Sequence, residues 1–142
     1  MMRRDQLPKR RVLVVDDHRD AAQTLAMLLS ISGQEIRVAY DGVEALEAAS
    51  AFQPQLVFLD IGLPKLNGHE VARRIREEEW GRGVCLVALT GWGQEDDRRR
   101  SCDAGFDHHM VKPVQYEALL QLLTTPLADE PQDGSSATGA NT

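Results

Sequence analysis

The chain alternates between short apolar runs and longer segments with helical spacing of apolar positions, from about residue 11 to about residue 124. The apolar runs are short and largely continuous, which is typical of strands that are buried on both faces. The segments between them repeat apolar residues with a period near 3.6, as an amphipathic helix does. The predicted strands cover residues 11–15, 35–40, 56–59, 85–89 and 108–111.

Local signals indicate where several of the predicted helices begin and end. The first helical period stops before Gly33, a residue type that commonly follows the last turn of a helix. Asp41-Gly-Val-Glu44 and Asn67-Gly-His-Glu70 both have the form of a capping box, which opens a helix. Further helices are predicted over residues 94–104, where acids precede arginines in the order that suits the helix dipole, and over 114–123.

Strands that alternate with helices of this length predict an α/β fold, with a (βα)₅ doubly wound parallel sheet. The flavodoxin-like strand order 2-1-3-4-5 is the arrangement that we expect for five such units. Residues 11–124 would form this domain, and residues 1–10 a flexible polar leader. Residues 125–142 contain proline, glycine and serine but no aromatic or basic residue, so we interpret them as a disordered tail or linker.

Composition limits the classes of function. The 142 residues suit one domain, and a net charge of −6 with a pI near 5.2 argues against direct nucleic-acid binding through a broad basic face. No apolar run approaches the roughly 20 residues that a membrane span needs, and no signal-peptide core follows the basic N-terminus. Cys85 and Cys102 fit no metal or redox motif, which favours a reducing, cytoplasmic location.

Polar residues stand at the carboxyl ends of four predicted strands. Asp16 and Asp17 directly follow the first strand, and Asp60 follows the third. Thr90 closes the fourth strand, and Lys112 follows the fifth. Because the carboxyl ends of parallel strands lie at one edge of the sheet, where open α/β sheets bind ligands, we expect these side chains to converge.

The charges of these residues predict a divalent cation. Two like charges about 4 Å apart repel by roughly 4 kcal/mol at an effective dielectric constant of 20, so three adjacent carboxylates need more than one ammonium group. Mg²⁺ suits carboxylate and carbonyl oxygens and keeps water ligands for a phosphate-bearing substrate. One carboxylate could then attack phosphorus, with the lysine and threonine stabilising charge on the transferring oxygens.

Each residue also has a simpler interpretation. An Asp-Asp pair after a strand is often only a helix N-cap, and a loop lysine is usually solvated; their joint occurrence at matching strand ends favours the site. Arg98, Arg99 and Arg100 are typical of a solvated helix face, with partner docking as the alternative. Trp92 could shield a phosphoryl group from water or be an exposed interaction residue, and these two alternatives stay open.

Four blocks occur in one order along the chain: Val14-Val-Asp-Asp17, Leu59-Asp-Ile-Gly-Leu-Pro64, Ala88-Leu-Thr-Gly91 and Val111-Lys-Pro113. Together they resemble the signature blocks of the CheY-like response-regulator receiver domains, over about residues 11–124. The segment His108-His-Met-Val-Lys-Pro-Val114 is similar to a subgroup that is attached to hybrid sensor kinases or stands alone.

The resemblance implies roles for the residues at the sheet edge. Asp60 would be the phosphoacceptor, and Lys112 would pair with the phosphoryl group. Mg²⁺ would be held by Asp17, by Asp60 and by the carbonyl of Gly62, with Asp16 acting through a water molecule.

The resemblance also implies a switch. Thr90 would be the switch hydroxyl, and His109 occupies the position of the family's usual Tyr or Phe rotamer switch. A half-buried histidine without a switching role is the alternative for His109. The peptide bond before Pro113 is expected to be cis, a geometry that costs little before proline.

The expected function is that of a response regulator in a two-component phosphorelay, and not of a turnover enzyme. A histidine kinase or histidine phosphotransfer protein would donate the phosphoryl group to Asp60. The surface of the fourth helix (residues 94–104), fifth strand and fifth helix would then bind a protein partner or a second copy. Two alternatives are a metal-dependent phosphohydrolase, which usually needs an acid where Gly62 stands, and a scaffold that is not phosphorylated.

Overall fold

The computed structural model describes residues 9–63, 66–91 and 104–124. The strands are β1 Arg11–Val15, β2 Glu35–Ala39, β3 Leu56–Asp60, β4 Cys85–Thr90 and β5 His108–Val111. The described helices are α1 Arg19–Ile31, α2 Gly42–Phe52, α3 Gly68–Glu77, a 3₁₀ helix Glu79–Gly81 and a closing helix Tyr116–Leu123. Trp92 and Arg98–Arg100, with nearly all of the predicted helix 94–104, lie outside the described residues.

The five strands form one parallel sheet in the order β2-β1-β3-β4-β5, which confirms the predicted fold class. Three strand boundaries differ by one residue from the prediction. β2 ends at Ala39 rather than Tyr40, whereas β3 and β4 extend to Asp60 and Thr90. The two extensions matter because the polar residue belongs to the strand itself in both cases, and its backbone is fixed by the sheet.

Each face of the sheet has its own hydrophobic core, because successive side chains of a strand point to opposite faces. On one face, strand residues such as Leu59 and Ala88 pack with the buried sides of α2 and α3. On the other face, residues such as Phe58 and Leu89 pack with α1 and the closing helix. The two layers hold the carboxyl ends of β1, β3, β4 and β5 side by side.

The helix signals in the sequence act as expected. The Asp41 side chain accepts a hydrogen bond from the Glu44 amide at 2.8 Å, and Asn67 accepts one from the Glu70 amide at 3.0 Å. Gly33 follows the end of α1 with φ +86°, a conformation that L side chains rarely adopt. Helix α1 differs at its start, because its N-cap residue His18 makes no side-chain capping bond.

Arg10 belongs to the folded domain, although the sequence places it in the flexible leader. Its side chain is buried, and its guanidinium donates to the carbonyl oxygen of Leu123 at 3.0 Å. The backbone carbonyl of Arg10 also accepts from the amide of Glu35 at 2.9 Å, so the pairing of β1 with β2 continues one residue earlier. A buried arginine is rare unless its charge is satisfied, and these bonds explain the difference from the prediction.

A second arginine fixes the amino ends of β4 and β5. Arg76, in the last turn of α3, donates to the carbonyl oxygen of Val84 at 2.6 Å and to that of Gly105 at 2.6 and 3.0 Å. Its guanidinium also lies 2.8 Å from a carboxylate oxygen of Asp107, which accepts from the amide of Leu86. No helix in the described part of the chain is long and apolar enough to cross a membrane.

Candidate functional site

Three of the polar residues that the sequence singles out meet at the carboxyl edge of the sheet. The ammonium nitrogen of Lys112 lies 3.1 Å from Oδ2 of Asp60 and 3.5 Å from Oδ2 of Asp16. Asp16 follows β1, Asp60 ends β3 and Lys112 follows β5. The strand order brings these three ends together, since β1 and β3 are neighbours at the centre of the sheet.

Asp60 is held by its own strand and by the turn that follows. It is only 5% exposed, and its Oδ1 accepts a hydrogen bond from the backbone amide of Gly62 at 2.9 Å. The start of α3 packs tightly on the same turn: a Cβ at Gly68 would lie 2.6 Å from the carbonyl oxygen of Asp60. Glycine at position 68 therefore lets α3 approach the end of β3 and fix the direction of the Asp60 side chain.

Asp16, Asp17 and His18 lie opposite Asp60, and these four residues form an acidic cluster. Asp16 is 2% exposed and accepts from the backbone amide of His18 at 3.0 Å, while the Asp17 side chain is one-third exposed. One ligand atom from each of these three residues and one from Asp60 all lie within 4.8 Å of one another. Carboxylate oxygens at this density are the donor set that Mg²⁺ prefers, so the residues fit the expected cation.

Burial and repulsion raise the pKa of Asp16 above its ordinary value of 3.8. Loss of solvation is the largest cause, and the nearby carboxylate of Asp60 adds to it, whereas the His18 amide and Lys112 act in the opposite direction. Burial alone would lower the pKa of Lys112, but the carboxylates of Asp60 and Asp16 outweigh it and raise that pKa above 10.5. Lys112 therefore keeps its ammonium charge, and among the described residues the site still holds more carboxylate groups than ammonium groups.

Thr90 and Lys112 are connected through the backbone. Thr90 is the last residue of β4, and its carbonyl oxygen accepts from the amide of Lys112 at 2.7 Å. Its hydroxyl lies 3.4 Å from the carbonyl oxygen of Met110, a long contact that leaves it available to another acceptor. The peptide bond between Lys112 and Pro113 is cis.

His109, on β5, lies on the same face of the sheet as Thr90 on the neighbouring strand β4. Its partner in the β4–β5 register is Ala88, and Thr90 pairs with Val111. Residues two apart on a strand share a face, so His109 and Thr90 point to the same side. His109 is half-buried there, whereas His108 is exposed on the opposite face.

His18 is the site residue that the sequence analysis missed. Its Nδ1 lies 3.4 Å from a carboxylate oxygen of Asp16 and 3.5 Å from one of Asp17. The signal was present in the sequence, because a histidine directly follows the acidic pair. Adjacency alone did not indicate it, since the position of its ring depends on the turn that Asp16 makes with the His18 amide.

Comparison with known proteins identifies the family. Residues 12–124 match the model of the response regulator receiver domain. The response regulator MprA of Mycobacterium bovis is 34% identical over 128 residues, which are 89% of this chain and 55% of that protein. MprA of Mycobacterium ulcerans is 38% identical over 110 residues, 78% of this chain and 47% of that protein. The chain thus spans about half the length of these relatives.

Solved structures agree. A response regulator of Chloroflexus aurantiacus has a TM-score of 0.77 at 26% identity, covering 82% of this chain and 95% of its own. The receiver domain of the sensor histidine kinase PA1611 of Pseudomonas aeruginosa, with magnesium coordinated in its active-site cleft, has a TM-score of 0.74 at 28% identity and covers 82% and 95%. The receiver domain of Ssk1 from Saccharomyces cerevisiae was crystallised with the histidine phosphotransfer protein Ypd1. It has a TM-score of 0.76 at 30% identity, and the match covers 83% of this chain and 88% of that one.

The parallel sheet, the acidic cluster at its carboxyl edge and the match over nearly all described residues lead to one assignment. This chain belongs to the response regulator receiver domain family of two-component signalling.

Proposed function

We propose that this receiver domain accepts a phosphoryl group on Asp60 and uses it to switch a protein-interaction surface. The observation that carries the proposal is the contact of one ammonium group with two buried carboxylates from different strands. The Lys112 ammonium group can pair with a phosphoryl group on Asp60, because it already contacts Oδ2 of that residue. No stability argument requires this arrangement, since buried like charges destabilise a fold.

The residues divide the chemistry among them. An oxygen of Asp60 attacks phosphorus, the bond from phosphorus to the donor's imidazole nitrogen breaks, and that nitrogen recovers its electron pair. Lys112 neutralises charge on the phosphoryl oxygens, and Thr90 donates one hydrogen bond to them. Asp17, Asp60 and the Gly62 carbonyl would hold Mg²⁺, with Asp16 acting through water; the ion supplies charge neutralisation to the phosphoryl oxygens.

The switch begins at the same edge. A phosphoryl group on Asp60 adds negative charge beside Lys112 and attracts the Thr90 hydroxyl, whose present contact is long. Movement of Thr90 makes room on the face that it shares with His109, so His109 can turn inward. Two conformations then differ at β5 and the closing helix, and the phosphoryl group favours one of them.

A groove of about 500 Å³ runs along β5 and the closing helix, and it includes both His109 and the exposed Val111. This groove is the described part of the output surface that we propose for a protein partner or a second copy. The predicted helix 94–104 would complete this surface, and most of it lies outside the described residues.

A histidine kinase or a histidine phosphotransfer protein is the proposed donor. The receiver of Ssk1, which this chain resembles, was crystallised with such a phosphotransfer protein. Here a mainly apolar cavity of about 480 Å³ lies between α1 and the segment after β5, and both Asp16 and Lys112 line it. A donor helix packed there would bring its phosphohistidine to the acidic cluster.

Intact-protein mass spectrometry after incubation with acetyl phosphate tests the proposal. We expect one added phosphoryl group in the wild type with Mg²⁺, none with EDTA, and none in Asp60→Asn. Asp20→Asn is the matched control, because Asp20 is an exposed acid in the first turn of α1 and lies outside the acidic cluster. An added phosphoryl group that persists in Asp60→Asn would refute the assignment of Asp60 as the phosphoacceptor.

A further inference from the structure

His18 stands out among the residues of the acidic cluster because it is the only nitrogen donor among the four grouped there within the described residues. We propose that His18 is a metal ligand through Nδ1 and that it makes the site bind Ni²⁺ more tightly than Mg²⁺. This inference rests on the metal site of the proposed function. It adds a ligand and an ion selectivity to that site.

The first argument is the position of the ring. At the N-caps of α2 and α3, Asp41 and Asn67 use their side chains to cap the helix. His18 is the N-cap of α1 and makes no such bond. Its imidazole is directed to the carboxylates instead, although 73% of the side chain is exposed and solvent would be open to it.

The second argument is the spacing of the donor atoms. Nδ1 lies almost equally far, at 3.4 and 3.5 Å, from an oxygen of Asp16 and an oxygen of Asp17. Both separations exceed the roughly 2.7–3.2 Å of a good N–H···O hydrogen bond. The separation from Asp17, which would bind the ion directly, lies within about 0.5 Å of the roughly 3.0 Å between adjacent ligands of an octahedral ion with bonds of about 2.1 Å.

The third argument is donor chemistry. Magnesium binds oxygen ligands, and the carboxylates of Asp17 and Asp60 with the Gly62 carbonyl would supply them without help from an imidazole. Imidazole nitrogen is a better ligand for first-row transition ions, and Ni²⁺ binds such mixed nitrogen and oxygen sites more tightly than Mn²⁺ does. The His18 side chain is 73% exposed, so its ring can turn toward an ion without displacing a buried side chain.

Calorimetric titration of the metal-free full chain tests the selectivity. We expect His18→Ala to weaken Ni²⁺ binding at least about tenfold and to change Mg²⁺ binding by less than about twofold. His108→Ala is the control, because His108 is exposed at the amino end of β5. It should leave both affinities at their wild-type values.

Pulsed electron paramagnetic resonance of the Mn²⁺-loaded chain tests the ligand directly. Coupling of the manganese spin to a ¹⁴N nucleus is expected in the wild type and in His108→Ala, and its loss in His18→Ala. Unchanged Ni²⁺ affinity in His18→Ala, or ¹⁴N coupling that persists in that variant, would overturn the role of His18. The proposed function would still stand in that case, provided that the protein binds Mg²⁺ and is phosphorylated. Absence of Mg²⁺ binding in the wild type would instead refute the metal site of the proposed function.

Discussion

The two ends of the sheet bury charge in opposite ways. At the amino end, Arg10 and Arg76 direct their guanidinium groups at backbone carbonyls, and Arg76 also pairs with Asp107. At the carboxyl end, Asp16 and Asp60 are buried beside each other, and within the described residues Lys112 is the one ammonium group that contacts them. Among the described residues, the arginines at the first end are paired by carbonyls and a carboxylate of the chain, whereas the second end holds more carboxylate than ammonium charge.

This difference separates stability from function within one domain. Charged groups that are already paired within the chain need no ligand, so we expect the amino end only to hold β4, β5 and their connections in place. Carboxylates left in excess attract a cation and react with an electrophile, and they cost stability until they do so. Changes at the two ends should therefore have opposite effects on folding, and only those at the carboxyl end should alter phosphorylation.

The largest expected effect on folding is at the amino end. Arg76→Ala removes bonds to the carbonyls of Gly105 and Val84 and leaves Asp107 without its cation, which should lower the free energy of unfolding by about 3 kcal/mol. Urea denaturation measures it. Arg74→Ala is the control, because that arginine lies on the same helix and its ion pair within the described residues is an exposed one with Glu70. Its cost should stay below about 0.5 kcal/mol.

Lys112→Ala should have the largest effect on the chemistry. Loss of the ammonium group that contacts Asp60 should slow phosphorylation by acetyl phosphate about 100-fold, because charge on the transferring oxygens loses its partner. Single-turnover kinetics by quenched mass spectrometry measures the rate. Lys9→Ala, a change of an exposed lysine just before β1, should react at the wild-type rate. Equal rates for all three proteins would contradict the proposed role of Lys112.

Asp16→Asn should make the metal-free protein more stable at neutral pH, because asparagine carries no charge that burial and the Asp60 carboxylate disfavour. The pKa of Asp16 is raised in the fold, so its favourable contribution is complete below the ordinary value of 3.8 and is lost as pH rises through the raised pKa. Asparagine never ionises, so the gain should appear above that pKa and vanish in acid. Thermal melting across pH measures it, and a destabilised variant at pH 7 would contradict the explanation.

Pattern alone predicted the parts of this molecule that depend on local chemistry and topology. Apolar period and capping residues such as Asp41 predict the elements, and the parallel sheet then requires Asp16, Asp60 and Lys112 to share an edge. The same reasoning missed Arg10 and Arg76. Their partners are backbone carbonyls of distant segments, such as Leu123 for Arg10, and a sequence gives no sign of which carbonyl needs a donor.

His18 was missed for a related reason. The turn between Asp16 and the His18 amide directs the ring back toward the carboxylates, and no periodicity records such a turn. The sequence indicated a switch at His109, and the register places that residue on the face of Thr90. The movement proposed for His109 would depend on packing that differs between two states, and a sequence pattern does not describe that packing.

Chemical mapping of the phosphorylated residue tests the central claim most directly. Borohydride reduces an acyl phosphate on aspartate to the corresponding alcohol, which peptide mass spectrometry locates. After incubation with acetyl phosphate, we predict reduction at position 60, only when Mg²⁺ is present, and only weakly in Lys112→Ala. Reduction at a different acid, or at position 60 with EDTA in place of Mg²⁺, would contradict the account.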